Sequence, residues 1–208
     1  MKIEKPKINR CETITIKEAC KENVFDNYHF NENIEDKLTI MDTTFDACIF
    51  ENIDFTNIEL IDVDLLDVIF DGCDLSNKCF DNRMISRVVF KNCKMIGTSF
   101  IESSMKDIEF EGCVTKYLNF SNSKINNILI KESNFSECSF METEIKNIEL
   151  NDVKLYKAEF IKTKLNKVDF SSCDISGISF DMYSLKGIIV DRFQCQNLVG
   201  MLGVEVKD

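Results

Sequence analysis

Ten cysteines, one histidine and 36 carboxylates are the residues of this 208-residue chain that could do chemistry. Cysteines crosslink or bind soft metals; histidine and carboxylates move protons. Their spacing argues against each use. Cys73, Cys93 and Cys113 are 20 residues apart, with Cys173 further along the same series. Side chains stacked in one column are parallel and equally oriented, a poor geometry for a disulfide. A metal needs ligands converging from different directions. The cysteines therefore read as small hydrophobes filling a narrow inward slot. His29 stands alone outside the regular part of the chain, where a solvated or satisfied ring is expected. No G-x-S-x-G, phosphate-loop or dinucleotide fingerprint is present. Carboxylates come close only because the chain repeats them. The expectation is no enzyme, no metal and no cofactor.

The element that must position all these residues is a five-residue beat. From Phe45 to Val190 every fifth residue is large and apolar, with Thr115 the one exception in thirty positions. Two residues earlier sits a smaller class, among them Cys48, Val63, Cys73, Cys93, Thr98, Ser103 and Cys113. A period of five is neither that of a helix nor that of a long strand. It suits a chain that turns a corner after each repeat, so that four repeats close one square coil with both residue classes inward. The corner falls two residues after each beat residue. Gly72, Gly97, Gly112, Gly177 and Gly187 stand there, as do Asn52, Asn57, Asn82, Asn92, Asn122, Asn127 and Asn147. Gly and Asn tolerate the positive φ of type II turns. At the inter-strand spacing, the coils of residues 43–192 stack to about 36 Å. A β-sandwich would place its turns every 8–12 residues, not every five.

The predicted fold is all-β: a right-handed quadrilateral parallel β-helix of about eight coils with a short C-terminal helix. Residues 1–42 form a lead-in segment and an irregular first coil, with Phe25 and Phe30 already on the beat. Residues 43–190 are the regular solenoid. Residues 191–208 read as an N-cap at Asp191, a helix from Arg192 to Leu202, a C-cap at Gly203 and a strand at Val204–Val206. Lys78 and Arg83 occupy inward slots, where a buried unpaired charge is expensive. Lys78–Arg87 is thus the predicted irregular site. The N-terminus carries no apolar signal region and no stretch approaches 18 apolar residues, which predicts a cytoplasmic protein with no membrane partner.

Over about three quarters of its length the chain resembles the pentapeptide-repeat family, whose fold is this quadrilateral β-helix. At the C-terminus it looks like one branch, the Qnr-like quinolone-resistance proteins. The matching residues are Leu185–Asp191 (LKGIIVD), Cys195–Leu198 (CQNL) and Leu202–Val206 (LGVEV), with Phe90–Cys93 through Phe100 a further likeness. The resemblance implies binding to type II topoisomerases, gyrase and topoisomerase IV, and their protection from fluoroquinolones. It also implies a homodimer through the C-terminal helices, with Phe193, Leu198, Val199, Met201 and Leu202 as interface residues. One departure matters. The Gram-negative Qnr proteins carry two loops that break the coil; this chain has no insertion between residues 43 and 190, as in the loopless MfpA type.

The formal charge of −11 disfavours direct nucleic-acid binding. Counted by face, the acids segregate onto two opposite walls. One carries Glu51, Asp71, Glu109, Glu111, Glu132, Glu149, Asp152, Asp169 and Asp191 against Lys91, Lys131 and Arg192. The other carries Glu59, Asp62, Asp81, Glu102, Glu142, Glu159 and Asp181 against Lys78 and Lys162. The Leu65/Ile85 face is net basic. Such a rod suits a saddle that grips duplex DNA. Its acidic walls carry about one charge per 3.3 Å where the duplex has one per about 1.7 Å, so the mimicry is partial. Two other readings stay open: a scaffold with a partner other than a topoisomerase, and immunity to a peptide topoisomerase poison.

Overall fold

The computed structural model describes residues 2–201 and 203–205. Its elements are β1 (Glu12–Thr13), α1 (Ile16–Glu22), β2 (Phe25–Asp26), β3 (Tyr28–Phe30), β4 (Leu38–Asp46), β5 (Ile49–Glu51) and β6 (Ile58–Asp71). They are followed by β7 (Met84–Lys91), β8 (Ser104–Glu111), β9 (Lys124–Lys131), β10 (Glu144–Ile145), β11 (Ile148–Asn151) and α2 (Arg192–Met201). The chain winds into a parallel β-solenoid of about seven turns. Pairing holds a 20-residue register, with Phe50 opposite Phe70, Phe70 opposite Phe90 and Phe90 opposite Phe110. Isolated bridges such as Asp74–Lys94 and Ser99–Asn119 continue that register on the other two faces.

Two phenylalanine columns fill the interior. Phe30, Phe50, Phe70, Phe90 and Phe110 stack with centroids 4.8 to 5.3 Å apart. Phe80 to Phe180 form the opposite column at 4.7 to 5.8 Å. The rod length per coil is therefore close to the thickness at which aromatic rings pack well.

The smaller inward residues do more than fill space. Cys93 Sγ donates to the Phe70 carbonyl at 3.4 Å and Cys113 Sγ to that of Phe90 at 3.3 Å. Thr98, Ser103 and Thr143 hydroxyls donate to Leu75, Phe80 and Phe120 carbonyls at 2.8, 2.6 and 2.8 Å. Each bond reaches 23 residues back, into the preceding coil. The slot thus accepts Ser, Thr or Cys because each can donate to a backbone acceptor that is otherwise enclosed. All ten cysteines are free. Burial pushes the Cys138 thiol up to about 12, so at neutral pH it is a packed thiol and not a nucleophile.

The corners take positive φ, but not only at Gly and Asn. Asp67, Arg87, Asp107, Tyr117, Glu132 and Lys157 adopt it too, with φ between 47° and 63°. Asn57 and Asn147, expected to share this conformation, do not. At Gly72 a side chain is excluded twice over: φ is +67° and an added Cβ would lie 2.3 Å from Asn52 Oδ1.

Lys78–Arg87 proves regular, contrary to expectation. Asn77 N–H and Asn82 N–H bond the next coil at 2.9 and 2.8 Å, so the wall is undistorted. Lys78 extends its amine to the Ile58 carbonyl at 2.7 Å, and Arg83 reaches Asp62 at 3.1 Å. Long stems let both heads escape the core. The irregular sites lie elsewhere. Among the described residues no backbone hydrogen bond joins 144–151 to 164–171. A cleft of about 940 Å³ opens there, lined by Lys146, Asn147, Lys164 and Lys167. A second departure breaks the beat itself. Ser184 is fully buried while Tyr183, in the nominal inward slot, is 57% exposed. Thr163 N–H bonds Ser184 Oγ across 21 residues, where Ser103 N–H bonds Ser123 Oγ across 20. The last coil therefore slips by one residue around 183–187 and is back in register at Ile189, which bridges Asp169.

Both ends are plugged by helices. Helix α1 carries a capping box, Thr15 with Glu18, and buries Ile16 and Ala19. At the other end Asp191 Oδ1 accepts from Phe193 N and Gln194 N at 2.7 and 2.8 Å, as the predicted N-cap should. Gln194 then donates to the Phe170 and Cys173 carbonyls at 2.9 and 2.8 Å, covering two acceptors of the open coil edge. Gly203 has φ +73°. Val204 and Glu205 are not a strand, and Val206 lies outside the described residues.

Candidate interaction surface

The acids expected to line two flat walls are sorted by the coil into edges and faces. Asp62, Glu102, Glu132, Glu142 and Asp152 stand at corners, with φ between 47° and 57°. Side chains there project along the rod edges, and all five are exposed. Glu51, Glu59, Glu159 and Asp169 are exposed on faces; Asp71, Asp81, Glu111, Glu149 and Asp181 are half-buried.

Several of these charges are already engaged. His29 lies 3.0 Å from Glu51, Lys91 3.9 Å from Asp71 and Lys162 2.8 Å from Glu142. Asp81 accepts the Ile101 N–H of the next coil at 2.7 Å, and Asp181 accepts the Ser184 N–H at 2.8 Å and so braces a turn. Asp169 does the same for Ser171 at 2.9 Å. Among the described residues no ion pair reaches Glu102, Glu132, Asp152 or Glu159.

Glu109 is a correction. Expected outward on an acidic wall, it is 1% exposed and ion-paired with both Lys5 and Lys131. Burial alone would raise its carboxyl pKa, but the two lysine hydrogen bonds outweigh that and hold it below the usual range. The cover is residues 2–11, which run extended along this corner of the rod. Lys7 N–H donates to Asp67 Oδ1 at 2.8 Å and Cys11 Sγ to the Ala47 carbonyl at 3.5 Å. Beside them Arg87 grips Asp67 through two bonds of 2.5 and 2.7 Å.

Leu198, expected in an intermolecular interface, is 8% exposed and belongs to the chain's own core. It lies four residues from Gln194, so one helical face seals the last coil. Phe193 is 67% exposed and Val199 half-buried. The side chains of Met201 and Leu202 lie outside the described residues.

Two family profiles match the chain: "Pentapeptide repeat region" over residues 63–140, and "Pentapeptide repeats (8 copies)" over residues 41–77 and 133–171. The chain belongs to the pentapeptide-repeat family. No curated protein matches it by sequence. Among solved structures, full-length QnrB1, described as a plasmid-mediated fluoroquinolone resistance protein, is 16% identical, with 93% of this chain and 95% of that chain covered and a TM-score of 0.46. A trypsin-treated QnrB1 variant is 19% identical over 85% and 99% of the two chains, with a TM-score of 0.40. HetL from the cyanobacterium Nostoc sp. strain PCC 7120, involved in heterocyst differentiation regulation, is 11% identical over 85% and 97%, with a TM-score of 0.28.

In this pentapeptide-repeat protein Lys106, Lys124, Lys146, Lys162 and Lys164 line a second cavity, of about 580 Å³, together with Glu142, Glu144 and Tyr183. Among the described residues no group of His, Cys, Asp and Glu could hold a metal ion, and no helix is long and apolar enough to cross a membrane.

Proposed function

We propose that this protein binds a type II DNA topoisomerase, gyrase or topoisomerase IV, and protects it from fluoroquinolones as a partial DNA mimic. The observation that carries this reading is the set of exposed acids with no ion-pair partner among the described residues, Glu102, Glu132, Asp152 and Glu159, spaced along a rigid rod. Fixed carboxylates on a stiff scaffold complement the basic groove that receives DNA, and cost the rod little ordering entropy on binding. The Qnr-like residues Leu185–Asp191 and Cys195–Leu198 point to the same partner. Glu51, Asp71, Glu111 and Glu149 extend the acidic surface, while Glu109 is withdrawn from it. The protein acts in the cytoplasm, without contacting nucleic acid itself.

Gyrase supercoiling in ciprofloxacin, titrated with this protein at low and moderate salt, tests the reading. Supercoiling should recover, and the triple variant Glu102→Lys, Glu132→Lys, Glu159→Lys should lose at least tenfold in potency with its fold intact. Equal potency of the variant would remove the acidic surface from the mechanism; no recovery at any salt would leave a scaffold with another partner.

The second copy in a homodimer meets the C-terminal end, where Met182, Ile189, Phe193 and Val204 are 72%, 48%, 67% and 52% exposed. Exposed apolar side chains near one end of the chain suit an association surface. Phe193→Glu should sediment as a monomer while keeping the cap made by Gln194 and Leu198; a variant that stays dimeric would place the interface elsewhere.

A further inference from the structure

Residues 2–11 lie on the rod without joining it. Among the described residues no backbone–backbone hydrogen bond ties them to a coil; the ladder starts only at Glu12, whose N–H meets the Asn27 carbonyl. Lys5 and the Lys7 N–H hold the segment through carboxylates instead. Its composition suits that attachment. Lys2, Lys5, Lys7 and Arg10 stand against a single acid, Glu4, and Pro6 both fixes an extended backbone and removes one ladder donor. Lys2, Glu4, Lys5, Lys7 and Arg10 remain exposed although the segment is ordered against the rod. Held by a Lys5 amine that stays largely exposed and by one backbone N–H, the segment exchanges more easily than a strand in a full ladder.

Beneath the segment the rod offers more acceptors than the segment uses. Asp107 is 2% exposed, and its Oδ2 has no hydrogen-bond partner, while Oδ1 accepts from Asn127 at 2.6 Å. An enclosed carboxylate oxygen left without a donor is costly. It stands two residues from Glu109, whose carboxylate does accept a lysine from the segment. The corner therefore presents three carboxylates: Asp67, already held by Arg87, Glu109, already held by Lys131, and Asp107, whose second oxygen is the one acceptor that the chain's own segment leaves unmet.

We propose that residues 2–11 are a built-in competitor, and that the Asp67–Asp107–Glu109 track takes an extended, lysine-bearing peptide segment of a partner protein when the strap leaves. A partner lysine in register with Asp107 gains the bond that the strap does not make, which gives an external peptide an advantage over the resident one. The inference goes beyond the acidic-rod reading, because the track is closed in the resting chain and the exposed acids are not.

The test uses the full chain and a fluorescein-labelled synthetic peptide with the sequence of residues 2–10 as probe, followed by fluorescence polarisation. Lys5→Glu sets a carboxylate against Glu109 and should release the strap. Its affinity for the peptide should exceed that of the unaltered chain at least tenfold, and should fall on raising the salt. Lys7→Pro, which removes the N–H given to Asp67, is the second variant and should act in the same direction. Equal binding by the unaltered chain and both variants would overturn the competitor; no binding by either variant would overturn the track. The supercoiling assay is a separate readout. Peptide capture with no effect on supercoiling would keep the track and discard the topoisomerase, and the converse would discard the track alone.

Discussion

Phe100→Ala should destabilise the protein by about 4 kcal/mol, within the range for buried aromatic truncations. The ring is fully buried, stacked on Phe80 at 5.3 Å and Phe120 at 5.5 Å, and edge-on to Phe90 at 6.1 Å. The cost of such a cavity depends on how far its walls collapse. Here they cannot approach each other, because backbone hydrogen bonds fix the coils above and below: Phe80 N–H to Ser99 O and Phe100 N–H to Asn119 O, both at 2.8 Å. Urea unfolding should show a lower midpoint with an unchanged slope. A loss under about 1 kcal/mol would mean that the rings do not carry the core.

Arg87→Leu should cost about 3 kcal/mol at neutral pH, because it strands the buried Asp67 carboxylate. The Arg87 and Asp67 side chains are 16% and 8% exposed and share two hydrogen bonds. Burial would raise the Asp67 pKa; the guanidinium and the Lys7 N–H more than reverse this, so the carboxyl sits below its ordinary value. A lowered folded-state pKa gives stability that is present above the unfolded value, about 3.9, and lost as the pH falls through the folded one. In the variant burial prevails and the pKa rises. The deficit relative to the parent should then shrink as the pH falls from about 7 towards 4. A pH-independent deficit would show that packing, not charge, was lost.

Most of the solenoid was legible because its period is the fold. A large residue at every fifth position cannot be buried by a helix or a sandwich, and the 20-residue spacing of Cys73, Cys93 and Cys113 is the coil itself. What escaped lacks a periodic signature. Helix α1 is seven residues long, below the length at which a pattern emerges, although Thr15 and Glu18 spell its capping box. The strap has no internal pattern at all; only its surplus of lysine hints at an acidic bed. Ile145, Leu150, Leu165 and Phe170 keep the beat across a place where the coils have parted, since the last three stay buried and Ile145 half-buried there while backbone hydrogen bonding is lost. Lys78 and Arg83 misled because a rule for charged groups was applied to side chains long enough to leave the core.

The backward-reaching bonds of the inward hydroxyls and thiols, each spanning 23 residues, also bear on how the chain is made. Each coil meets its acceptors in a stretch already synthesised. Loop-closure entropy is thus charged in equal small steps however long the rod becomes, unlike sheets whose partners are far apart in sequence. A chain leaving the ribosome can wind coil upon coil onto a finished template, with α1 as the first plug and α2 as the stop. The directionality of translation and that of the fold coincide, so a stalled chain carries a shorter rod and not a misfolded one.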